Sequence, residues 1–116
     1  MGQERPHKQC VMDVANLVKK THSTYKEYPI NRLGDYHYLD LIGHPLSEEV
    51  NFKPFALECE SGSSKSQQES NKLDLQEFKK RFPESEIFQI NNANEFDINK
   101  LKKINNGMVK KPIRGF

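Results

Sequence analysis

The stretch "FALECESGSSKSQQ", residues 55–68, decides how the chain is read. An apolar run carries Glu58 and Glu60 two positions apart, breaks into glycine and serine, and then reaches paired glutamines. Side chains alternate across a strand, so Ala56, Glu58 and Glu60 share one face while Leu57 and Cys59 share the other. Two glutamates on one side of a buried-looking strand fit either the solvent face of a half-buried sheet or a purposeful cluster of charge.

Working outward, "FKPFALECE" (52–60) is a strand with Pro54 near its start, and residues 61–66 form the break. "SQQESNKLDLQEFKKR" (66–81) predicts a helix, with Ser66 as N-cap and Glu69 completing a capping box. Gln68, Asn71, Leu75, Phe78 and Phe82 share one of its faces, and Pro83 ends it. "SEIFQIN" (85–91) is a further strand, and "FDINKLKKI" (96–104) a short final helix. Upstream, "YHYLDLIG" (36–43) alternates and predicts a strand that "HPLSEEVN" closes as a loop. Its Tyr38, Asp40 and Ile42 are expected on one face and Leu39 and Leu41 on the other, with His37 turned away from Asp40. Val11, Val14, Ala15 and Val18 have helical spacing within residues 7–20. Residues 21–35 are turn-rich, with a short extended piece around Tyr25–Ile30. Adjacent strands without an intervening helix imply a hairpin, and strand–helix–strand implies parallel pairing. The expected fold is α/β, a small mixed β-sheet with flanking helices. It fills one domain over residues 1–106, followed by a basic, loose tail over 107–116.

The 116 residues suit one modest core, and 34% apolar with 29% charged residues is polar but globular in composition. No apolar run approaches the roughly 20 residues that span a bilayer, and "MGQERPHKQC" has no apolar signal core. The chain therefore reads as intracellular, cytoplasmic and without a membrane partner. Cys10 and Cys59 have neither zinc-ligand nor disulfide-framework spacing and read as reduced thiols. His7, His22 and His44 are scattered without ligand spacing. The net charge of +2 hides an asymmetry: from Lys100 onward five lysines and Arg114 give +6 with no acid, leaving −4 for residues 1–99. A basic end on an acidic body suits a polyanion partner or a solvated terminus.

If the strands holding Asp40 and Glu58 pair, their carboxylates meet. Two ionised carboxylates that close repel each other unless a cation lies between them. Hard oxygen donors suit Mg²⁺ or Mn²⁺, which polarises a phosphodiester and acidifies bound water.

With "YLDLIG", "FALECESG" and "SKSQQ" in place, and a helix led by Glu4, the chain resembles the PD-(D/E)xK nuclease superfamily, of restriction-endonuclease-like fold. The nearest look is to archaeal Holliday-junction resolvases and virus-type replication-repair nuclease domains. The likeness covers about residues 4–92. It implies that Asp40 and Glu58 bind Mg²⁺ or Mn²⁺, that Glu4 completes the metal shell, with Asp13 the weaker candidate, and that Gln68 faces the site. Glu60 stands where the motif carries lysine. The resemblance then implies that Glu60 and Gln68 orient or deprotonate the attacking water; from its place in the flexible run, Lys65 is expected to swing a cation back into the site. The function implied is a metal-dependent DNA endonuclease acting as a homodimer on branched or structured DNA, with phosphate contacts expected from Lys19, Lys20, Arg32, Lys102, Lys103, Lys110 and Lys111. A nuclease-fold protein that binds nucleic acid or a protein without cleaving is the alternative. The tyrosines Tyr25, Tyr28, Tyr36 and Tyr38, near Lys26 and Arg32, suit either base stacking or the core and its rim.

Overall fold

A computed structural model describes residues 4–47, 51–62 and 64–109, the side chains of residues 4–6 and 98 aside. Helix α1 spans Glu4–Val18, strands β1 and β2 span His22–Arg32 and Asp35–Pro45, and β3 spans Phe55–Cys59. Helix α2 (Lys65–Arg81), strand β4 (Glu86–Ile90) and helix α3 (Ile98–Met108) follow. The sheet order is β1-β2-β3-β4, with two antiparallel pairs and a parallel β3–β4 pair. This is a small mixed sheet with three helices. Among the described residues no helix is long and apolar enough to cross a membrane.

The sheet separates two clusters of buried apolar side chains. On one side Cys10, Val11, Val14 and Val18 of α1 and Ile104 and Met108 of α3 pack on Leu41, Phe55, Leu57 and Cys59. On the other, Leu75 and Phe78 of α2 pack on Ile30, Leu39, Ile42 and Ala56. The thiols of Cys10 and Cys59, 49 positions apart in sequence, meet in the first cluster; their hydrogen bond and burial hold the Cys59 thiol well above its ordinary range.

Several boundaries differ from the sequence expectation, each for a local reason. The short extended piece becomes an 11-residue strand, because β1 and β2 form one long hairpin registered from His22↔Pro45 to Arg32↔Asp35. Its two-residue loop, Leu33–Gly34, has positive φ at both positions (56° and 86°). That is the pattern of a type I′ turn, whose twist matches the flanking strands. Ser64, not Ser66, caps α2, accepting the Gln67 amide at 3.2 Å. Lys65 is therefore the first helical residue and exposed, not part of a flexible run. Residues 107–109, expected in the loose tail, belong to the fold: Met108 is fully buried and its carbonyl accepts the Lys53 amide at 2.7 Å. Burial of a side chain that size is worth about 1.5–3 kcal/mol, enough to hold the last helical turn down. Lys110 and Lys111 lie outside the described residues.

The face assignment along β2 also changes. Leu39 and Ile42 belong to the α2 side and Leu41 to the α1 side, so the alternation slips by one residue near Asp40. The slip coincides with a gap in the β1–β2 ladder. Lys26 pairs with Leu41 and Tyr28 with Leu39, but the rung between them, Glu27 opposite Asp40, is unpaired. Glu27 has a φ of 51°, a conformation that turns its peptide units out of the ladder. Both strands are thus kinked at the same rung.

Candidate metal centre

The β2–β3 ladder consists of Leu41↔Leu57, Ile42↔Ala56 and Gly43↔Phe55. The next rung would set Asp40 opposite Glu58, and here side chains replace the backbone bonds. The Asp40 amide donates to Glu58 Oε1 at 3.0 Å, and the Cys59 amide donates to Asp40 Oδ2 at 2.7 Å. The kink at Glu27 and Asp40 thus frees the Asp40 amide from β1 and turns its carboxylate toward β3. Each acid caps the strand that carries the other.

Glu60 sits one residue beyond β3 and is held at both backbone groups. Its amide donates to the Ile90 carbonyl at 2.8 Å, and its carbonyl accepts the Ala93 amide at 2.6 Å. Its Oε1 accepts Asn71 Nδ2 from α2 at 3.2 Å, and Asn71 Oδ1 in turn accepts Gln67 Nε2 at 2.9 Å. One carboxylate oxygen each from Asp40, Glu58 and Glu60 lies within 4.8 Å of the other two. Asp40 comes from the α1 side of the sheet and Glu58 and Glu60 from the α2 side, so they converge where the two strands stop pairing.

The electrostatics are those of crowded, dehydrated acids. Glu58 is only 3% exposed, and burial followed by the Asp40 charge pushes its carboxyl up to about 9. Asp40 is also pushed above the ordinary carboxylate range, chiefly by burial; the Cys59 amide and His7 act the other way. A hard divalent cation among these oxygens stabilises both ionised forms, and an all-oxygen donor set fits Mg²⁺ or Mn²⁺.

Further polar contacts lie on both sides of the sheet around this cluster. His7 on α1 hydrogen-bonds the Cys59 carbonyl through Nδ1 and brings Nε2 to 3.7 Å from Asp40 Oδ1. On the opposite side, buried Asp74 of α2 accepts Arg32 Nε at 2.7 Å and His37 Nδ1 at 3.2 Å. Arg32 also reaches Ser70 Oγ at 3.2 Å, so the guanidinium set aside for phosphate is engaged inside the fold. His37 faces α2, away from Asp40. An open cavity of about 390 Å³ beside Asp40 is lined by His7, Lys8, Met12, Lys26 and Glu27.

The remaining residues named from sequence fall as follows. Gln68 lies half-buried in the first turns of α2, where its carbonyl accepts Gln89 Nε2 at 2.7 Å. Gln89 pairs with Glu58 across the β3–β4 ladder. Gln67 reaches Glu60 through Asn71. Glu4 opens α1, and its side chain lies outside the described residues. Asp13 accepts Gln9 Nε2 at 2.8 Å on α1. Lys19 and Lys20 are exposed after α1, about 18 Å along the helix axis from His7. Lys102 and Lys103 are exposed on α3. His7, Asn71 and Asp74 went unassigned from sequence, and no short-range spacing singles them out.

No family model, curated protein or solved structure matches the chain.

Proposed function

We propose that this chain is a divalent-metal-dependent DNA endonuclease of restriction-endonuclease-like fold. The observation that carries the reading is the convergence of Asp40, Glu58 and Glu60 at the rung where β2 and β3 stop pairing. Acids on a solvent face spread apart, whereas here buried Glu58 and half-buried Asp40 are drawn together and held by backbone amides. Asp40 and Glu58 would hold Mg²⁺ or Mn²⁺, with Glu4 in support. The ion would supply a polarised phosphate and acidified water. Glu60, which Asn71 and, through it, Gln67 hold by hydrogen bonds, would orient that water or accept its proton. Gln68 sits one position along, on the same helix end. Exposed Lys102 and Lys103, with Lys110 and Lys111, supply sequence-independent attraction to the DNA backbone. A chain of this size offers little surface to a duplex, so a homodimer placing one centre on each strand completes the reading.

The second reading is a nuclease-fold protein that binds nucleic acid without cutting it. It rests on Glu60 standing where the motif has lysine, and on Lys65 being fixed and exposed at the start of α2. One assay separates the two. Supercoiled plasmid and branched DNA are incubated with the protein in Mg²⁺, Mn²⁺ or EDTA, alongside Asp40→Ala and Glu58→Ala. Metal-dependent nicking lost in both variants supports the enzyme; a gel shift without nicking supports the binder; absence of both removes both.

A further inference from the structure

The face of the sheet that presents Asp40 continues outward along the hairpin as an aromatic surface. Leu39 packs with α2 and His37 reaches Asp74 on α2, so Tyr36 and Tyr38, at the alternate positions, project from the opposite face. That is the side on which Asp40 meets His7 of α1. Tyr36 and Tyr38 are 69% and 62% exposed. They pair across the hairpin with Asn31 and Pro29, short or rigid neighbours that leave the rings uncovered. Tyr28, by contrast, is committed to an edge-on contact with Phe78 and packs on the α2-side core. The next position on the Tyr36–Tyr38 face is Asp40, where the cavity carrying Lys8 and Lys26 opens.

We propose that Tyr36 and Tyr38 are a stacking platform for unpaired nucleotides flanking the phosphate that a divalent ion on the carboxylates would hold. The inference deepens the nuclease reading by naming its substrate class: a strand with unpaired bases beside the scissile bond. Three observations select this occupant. Tyr36 and Tyr38 leave the strand two residues apart, a backbone spacing of about 6.6 Å, twice the step per residue. Duplex bases are stacked at about 3.4 Å with their faces covered, so only unpaired bases can offer a face to each ring. The cations Lys8 and Lys26 line the cavity beside Asp40, Lys26 one rung beyond it along the hairpin, where a backbone phosphate following the stacked bases would lie. Glu27 shares that lining and disfavours a wholly anionic ligand there, which suits a strand that brings sugars and bases with its phosphates.

The test uses the full chain with Ca²⁺, a labelled oligothymidylate and a blunt duplex of equal length, read by fluorescence anisotropy. The expected result is preference for the single strand, lost at least about tenfold in Tyr36→Ala/Tyr38→Ala and retained in Tyr36→Phe/Tyr38→Phe. Because the chain has four tyrosines and no tryptophan, quenching of tyrosine emission on binding gives a second readout. Single-strand affinity equal in the alanine pair and wild type overturns the platform. So does an equal loss in the phenylalanine pair, which would assign the effect to the hydroxyls. Loss of self-association in the alanine pair, with oligonucleotide affinity unchanged, overturns it in favour of a second copy of the chain. If no metal supports cleavage but the ring-dependent binding holds, the nuclease reading falls and the platform stands. If DNA is cleaved and the alanine pair keeps the wild-type preference between overhang and blunt substrates, the platform falls and the nuclease stands.

Discussion

Asp40 and Glu58 are cross-linked through each other's strands: the Asp40 amide binds the Glu58 carboxylate, and the amide following Glu58 binds the Asp40 carboxylate. The two acids cannot separate without uncapping backbone groups between β2 and β3. Their proximity is therefore built into the sheet, despite the repulsion it creates.

Burial of Glu58, with that repulsion added to it, has a consequence for stability. The folded chain keeps the Glu58 proton up to about pH 9, whereas the unfolded chain releases it near the ordinary value of 4.5. Between those limits the folded state binds the extra proton, so stability falls as pH rises, by up to about 1.4 kcal/mol per pH unit. Asp40, also raised, contributes in the same direction. Urea unfolding in EDTA across this window should show the decline, and Glu58→Gln, neutral in both states, should flatten it. An identical slope in the variant would assign the pH dependence elsewhere.

Gly43 is the cross-strand partner of Phe55, and a Cβ there would stand 2.3 Å from Phe55 Cε1. Gly43→Ala should lower stability by about 1–3 kcal/mol through overpacking in the α1-side core. Adding Phe55→Leu should return part of the loss, measured as the urea midpoint of the double variant.

Leu33 occupies the hairpin loop at a φ of 56° and is 94% exposed, so it gains nothing from packing to offset the left-handed backbone. Leu33→Asn should stabilise the chain by about 1 kcal/mol, seen as a higher melting temperature. A fall in melting temperature would show that the leucine is held by contacts outside the loop.

Asn71 is the donor that holds Glu60. If the nuclease reading holds, Asn71→Ala should cut the nicking rate at least about tenfold while the helix stays folded. A rate equal to wild type would mean that Glu60 needs no orientation from α2.

Much of this architecture was legible in residues 36–91. The strands at Asp40 and Glu58 announced themselves by apolar alternation, and the Ser/Gly break before an amphipathic segment gave the crossover helix and the parallel β4. The length of β1 was hidden because Pro29 and the Lys26–Glu27 pair interrupt its apolar pattern, and the pairing that makes it a strand is with β2. The one-residue slip at Asp40 was hidden for a related reason: it arises from the positive φ of Glu27 on the neighbouring strand, and period-two alternation has no way to register it. Met108 looked like tail because a single methionine in "NNGMVKK" carries no periodicity until α3 docks on the core. At the site, two acids on adjacent strands could be paired by register alone. His7 and Asn71 reach the cluster from two helices on opposite faces, through contacts 52 and 11 positions long.

The most direct measurement is titration of the full chain with Mn²⁺ at neutral pH, followed by calorimetry, for wild type, Asp40→Asn, Glu58→Gln and a Lys102→Ala control. A single saturable site, weakened at least about tenfold in both acid variants and unchanged in the control, is the expected result. Binding of equal strength in wild type and both acid variants, or no binding in any of them, would contradict a metal centre at Asp40, Glu58 and Glu60.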